Sequence, residues 1–186
     1  MNSRVRWTSK DLELLPDKTV TYEIVEGELF VAKQPHWHHQ MTCARMWEHL
    51  QAWSQQTGLG AAAPAPGVIF DDENDVAPDV VWISRQRLEV LLGDDGHLHG
   101  APELVVEVLS PGASNERRDR EAKLKLYSLR GVHEYWIADW RLQTVEIYRR
   151  REAALQLVGV FHAHDELTSP LLPGFRMQIA ECFPEM

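Results

Sequence analysis

The chain is poor in cysteine, in positive charge and in long apolar runs, and each shortage removes a class of protein. Only Cys43 and Cys182 occur, far apart and outside any CxxC pairing. That excludes a disulfide framework and a cysteine-rich zinc site, and it suits a reducing cytoplasm. No run approaches the ~18 consecutive apolar residues of a membrane span. The opening MNSRVRWTSKDLELL lacks the apolar core of a signal peptide, so a soluble cytoplasmic protein is expected. Lys and Arg number 19 against 28 Asp and Glu, a formal charge of −9. That balance argues against a protein that coats nucleic acid non-specifically, and leaves open an approach through a local basic patch and a metal ion. Repeats, low-complexity tracts, a splitting linker, a Rossmann fingerprint and a P-loop are also missing. What is left is an ordinary globular composition, 44% hydrophobic and 25% charged over 186 residues. One domain over residues 1–186 is expected, with its core at about 20–150 and further strands at 154–180.

Hydrophobic spacing then places the elements. TSKDLELL reads as a short capped helix ending before Pro16. TYEIVEGELFVAK alternates on both sides of Glu26-Gly27, a hairpin signature. From about His36 to Thr57, the recurrence of Cys43, Met46, Leu50 and Trp53 predicts an amphipathic helix stopped by Gly58. GVIF up to Phe70 reads as a strand leading into an acidic loop, DDENDVA. PDVVWIS and APELVVEVLS are apolar without clean alternation, the mark of central strands covered on both faces. Asn115 to Arg130 reads as a helix with Ala122, Leu126 and Leu129 toward the core and Gly131 as its stop. HEYWIAD and TVEIYRR flank a tight turn at Trp140 to Gln143, with LQLVGVF and FRMQIA beyond. The order implies an α/β or α+β fold with a mixed central sheet flanked by helices.

The chemically odd residues are Asp79 and Glu107, carboxylates set among Val, Ile, Leu and Trp. An ionised carboxylate there must be paired, hydrogen-bonded or metal-bound. Taken singly, each is explained as well by an Arg partner or a helix cap. Taken together on neighbouring strands, the two would repel unless a cation lay between them, and a hard divalent ion, Mg²⁺ or Mn²⁺, is the natural partner. Asp119, Lys123 and Tyr127 recur at four-residue steps along one side of the next helix. Lys123 then either leans over the sheet edge near Glu107 or pairs with Asp119 at the surface. His39 shares a helix face with Cys43 and could point into a cleft. The histidine clusters His36/His38/His39, His97/His99 and His162/His164 have no Cys or third ligand at a zinc-motif spacing and read as surface histidines. Arg117, Arg118, Arg120, Lys123, Lys125 and Arg130 form the densest basic segment, read either as a solvated face or as phosphate contacts.

The strings YEIVEGEL, PDVV, ELVVEVLSP, the Asp119, Lys123, Tyr127 helix and GVHEYWIAD together resemble the Uma2 family, also called DUF820, whose members are inferred to be endonucleases. The resemblance runs from about Tyr22 to Tyr148. The family looks like a branch of the PD-(D/E)XK superfamily, and the resemblance therefore implies a restriction-endonuclease-like core. By it, Pro78-Asp79 matches the PD element and Glu107 the acidic residue of the second element. Leu109 stands where that motif expects Lys, so Lys123 is implied as the catalytic lysine, with Lys125 on the other flank. The implied metal ligands are Asp79, Glu107 and the Leu109 backbone carbonyl. Glu23, matching the acidic position of the YE element, and His39 are given supporting roles. The implied activity is Mg²⁺-dependent (or Mn²⁺-dependent) hydrolysis of phosphodiester bonds in DNA. The alternative is a nuclease fold that no longer cleaves and serves as a binding or regulatory module. A homodimer is expected as possible through open strand edges near the C-terminus.

Overall fold

The computed structural model describes residues 5–16, 19–32 and 34–184. Lys33, which closes the expected hairpin, and both chain ends of the expected 1–186 domain lie outside the described residues. The chain begins with α1 (Ser9–Glu13) and the hairpin β1 (Thr21–Val25) and β2 (Glu28–Ala32), turning at Glu26 and Gly27 with positive φ at both. The long helix α2 (Trp37–Thr57) follows and ends at Gly58, whose left-handed φ of 69° is the conformation glycine adopts without strain.

Next come β3 (Gly60–Pro64), β4 (Val68–Asp71), β5 (Asn74–Val76), β6 (Val80–Ser84), the short α3 (Arg85–Leu91) and β7 (Leu104–Val108). The expected second helix is continuous from Ala113 to Arg130. It runs as α4 (Ala113–Arg117), a π-helical turn over Arg118–Lys123, and α5 (Leu124–Arg130). Strands β8 (Glu134–Asp139), β9 (Thr144–Arg151), β10 (Ala154–His162), β11 (Glu166–Thr168) and β12 (Arg176–Gln178) complete the fold with a 3₁₀ turn at Ile179–Cys182.

The central sheet has six strands in the order β10-β9-β8-β7-β6-β3. Only β7 and β8 are parallel; the other pairs are antiparallel, which makes the sheet mixed as expected. Period-two alternation sends Leu104, Val106 and Val108 of β7 to one face, under Met46, Leu50 and Trp53 of α2. Val105 goes to the other, against Leu126 and Tyr127 of α5. Covered on both sides, β7 is buried at all five positions. A smaller sheet, β2-β1-β5-β4, lies beside it.

Two expectations are corrected. The acidic DDENDVA segment is not a loop throughout: Asp71 accepts from Glu73 N–H and from the Asn74 side chain, closing a tight turn, and β5 then pairs with both β1 and β4. Leu129 is not on the core side but 69% exposed. It lies two residues beyond buried Tyr127, about 200° round the helix.

Candidate active site

Glu107 shares its face of β7 with Val105, toward α5, and Asp79 stands immediately before β6. The β6–β7 register pairs Val81 with Val105 and Val80 with Val106. One step further, Asp79 comes opposite Glu107, and facing side chains on such strands lie about 5 Å apart. Since β6 begins only at Val80, the Val108 N–H has no strand partner on that side. The Asp79 carboxylate accepts it at 2.7 Å, so a side chain completes the ladder. Both carboxylates line one cleft of about 700 Å³, together with Glu23, His39, Cys43, Arg118 and Lys123.

Around Glu107 the contacts are dense. Lys123 Nζ donates to its Oε1 at 2.9 Å and the Tyr127 hydroxyl to the same atom at 2.8 Å. Both bonds use Oε1, so among the described residues no hydrogen bond claims Oε2. Lys123 also reaches Glu23 Oε1 at 2.7 Å and lies 4.0 Å from Asp119. Glu23 is fixed in turn by the Ala77 N–H at 3.0 Å. The π-helical turn directs both Asp119 and Lys123 inward, and both are buried; such turns recur at functional sites. Tyr135 of β8 donates its hydroxyl to the Asp119 carbonyl at 3.0 Å and holds the turn in place. Arg118 Nε bonds Asp119 Oδ1 at 2.9 Å. Asp119 Oδ2 is buried with no hydrogen-bond partner among the described residues.

On the α2 side, His39 Nε2 lies 3.5 Å from Asp79 Oδ2 and His39 Nδ1 3.5 Å from Cys43 Sγ. Leu109 is fully buried; its carbonyl accepts the Trp140 indole N–H at 3.1 Å and its own N–H donates to Ala138.

Electrostatics follow from this crowding. Burial pushes Glu107 up to about 8; the Lys123 charge opposes the shift, and Asp79, Asp119 and Glu23 reinforce it. Burial alone would raise Asp79 too, yet the bond and charge of His39 and the Val108 N–H hold it below the usual range. Burial depresses His39, but Asp79 outweighs it and the imidazole ends above its ordinary value. Lys123 likewise ends above its ordinary value, since Glu107, Glu23 and Asp119 outweigh burial. The Cys43 thiol is pushed well up by burial and then by Asp79 and Glu107. Around the cleft four carboxylates, Glu23, Asp79, Glu107 and Asp119, face two permanent cations, Lys123 and Arg118. The donor set is hard oxygen, which fits a divalent cation, and an ion held there would favour the ionised form of Glu107.

The structure thus brings Asp79, Glu107, Lys123, Glu23 and His39 into one cleft. Lys125 points elsewhere, pairing with Glu26 at 2.5 Å. Tyr127 was visible in the four-residue spacing but gained no role from it, Asp119 was read only as a surface partner for Lys123, and Arg118 was absorbed into a basic stripe that the fold dissolves. Arg117 pairs with Glu121, Arg118 with Asp119, Arg120 with Glu116 and Glu146, and Arg130 with Asp71.

The Uma2 family model, described as "Putative restriction endonuclease", matches residues 9–180. A crystal structure of "a putative nuclease belonging to DUF820" from Anabaena variabilis resembles the chain with a TM-score of 0.77 at 18% sequence identity, covering 94% of this chain and 96% of that one. At that identity the likeness speaks to the fold, which is restriction-endonuclease-like. No curated protein matches the chain. Family and fold together support a nuclease role, and so a hydrolase. With its matched span reaching from α1 to the closing 3₁₀ turn, the chain belongs to the Uma2 family.

Proposed function

We propose that this protein is a divalent-metal-dependent endonuclease that hydrolyses phosphodiester bonds in DNA, with Mg²⁺ or Mn²⁺ as cofactor. The observation that carries the reading is Asp79 set opposite Glu107, within a cleft where Glu23, Asp79 and Glu107 meet Lys123 and Arg118. Held by Asp79 and Glu107, a hard divalent ion would supply a water of lowered pKa and a Lewis acid at phosphoryl oxygen. The Leu109 carbonyl, the third ligand implied by the family motif, already accepts the Trp140 indole and would have to share its remaining lone pair.

The chain's own groups divide the remaining work. Lys123, kept charged by three carboxylates, is the donor for charge developing on the phosphoryl group, a contribution of about 3 kcal/mol when preorganised. Glu23 and Asp119 hold that ammonium in place. Tyr127 fixes the Glu107 carboxylate by its Oε1, and His39 steadies Asp79 from α2. DNA as the substrate rests on the family description, and a cytoplasmic setting on the two free cysteines. Among the described residues, no helix is long and apolar enough to cross a membrane.

A second reading, a nuclease fold that binds or regulates without cleaving, is favoured by the ion-paired basic helix, which offers few free cations to phosphate. Nicking of supercoiled plasmid separates the two. The endonuclease reading expects wild-type nicking that requires Mg²⁺ or Mn²⁺ and falls by about 100-fold or more in Asp79→Ala, Glu107→Ala and Lys123→Ala. Full activity in Lys123→Ala would remove the lysine from the chemistry. A folded wild type inert with either ion would leave the binding module.

A further inference from the structure

We propose a second metal site in this protein, for a borderline-soft divalent ion of the Zn²⁺ class, formed by His39, Cys43 and Asp79. His39 and Cys43 are one helical turn apart on α2, and Asp79 reaches them from the start of β6. One ligand atom from each of the three lies within 4.8 Å of the others. Imidazole nitrogen, thiolate sulfur and carboxylate oxygen are the donors tetrahedral zinc sites use, and a thiolate selects against Mg²⁺.

Access and isolation favour the same assignment. His39 and Cys43 are buried, whereas the Asp79 side chain is 23% exposed, so the cleft leads to the open side of the triad. Three protein donors with the fourth position toward the cleft is the pattern of a site that keeps a water or an anion. The other cysteine, Cys182, packs against Met177 at 3.7 Å and belongs to a different part of the core. On binding, the Cys43 proton passes to solvent and the thiolate bonds the metal. Because Asp79 also belongs to the proposed Mg²⁺ site, occupancy of the triad withdraws a ligand from it, and zinc inhibits by competing for that carboxylate. The site itself stands without the nuclease reading.

Cobalt(II) substitution tests it through thiolate-to-metal charge-transfer absorption. Titration of wild type with Co²⁺ is expected to give that band at one ion per chain, and Zn²⁺ to erase it. Cys182→Ala should retain the band and Cys43→Ala lose it, with Zn²⁺ affinity falling more than about tenfold in the latter. Glu107→Ala should keep the band, so the result is readable whether or not the protein cleaves DNA. Circular dichroism on each variant establishes that it is folded. Absence of the band in folded wild type at millimolar Co²⁺, or its persistence in Cys43→Ala, overturns the site.

Discussion

At the residue scale, Lys123 joins the stability of the fold to the chemistry of the cleft. Its ammonium is 1% exposed and lies within 3 Å of both Glu23 and Glu107. Replacing it by Met keeps the volume but leaves buried Glu107 without its cation and Glu23 with Arg118 alone, 3.8 Å away. Urea unfolding of Lys123→Met should show a loss of about 3–5 kcal/mol, and a loss below about 1 kcal/mol would mean that the carboxylates are satisfied otherwise. Asp79 and Glu107 were legible in the sequence because a charge inside an apolar strand has few explanations. Tyr127 and Asp119 were harder to assign. Which neighbours a helical side chain meets depends on the π turn, and no residue between Arg118 and Lys123 announces a wider turn. Cys43 was visible only as a helix-face residue, since its nearness to Asp79 depends on how α2 crosses the sheet.

At the element scale, the turn of the β8–β9 hairpin is fastened by one carboxylate. Asp139 accepts the Arg141 and Leu142 N–H groups and the Arg141 guanidinium. Burial would raise it, but those bonds outweigh burial and hold it below the ordinary carboxylate value. A group depressed in the folded state stabilises the fold above its unfolded pKa of about 3.9, and the contribution is lost as pH falls through the folded value. Asp139→Asn should therefore unfold more readily than wild type at pH 7, by about 1–2 kcal/mol. The gap should begin to narrow below about pH 4 and close only below the folded value, as thermal melts over that range would reveal; a gap constant with pH would contradict it.

The periodic helix α2, the apolar runs of β6 and β7, and β8 and β9 were legible before the structure. Strand β3 was not. Its Ala-rich stretch has low strand propensity, and it is a strand because it pairs with β6 under α2. The short α3 and β11 likewise follow from their partners rather than their composition.

At the scale of the whole molecule, charge is arranged inside out. The helix richest in cations pairs them with carboxylates, while Glu23, Asp79 and Glu107 line the cleft around Lys123 and Arg118. Sequence displayed the cations as a stripe because two of their partners, Glu146 and Asp71, come from distant strands. A protein so arranged attracts a divalent ion before it attracts a polyanion. The measurement that tests this most directly is calorimetric titration of Mg²⁺ and Mn²⁺ into wild type, Asp79→Asn and Glu107→Gln. The account predicts one ion bound per wild-type chain and none in either variant, each still folded. A folded wild type that takes up no divalent ion at millimolar concentration would contradict it.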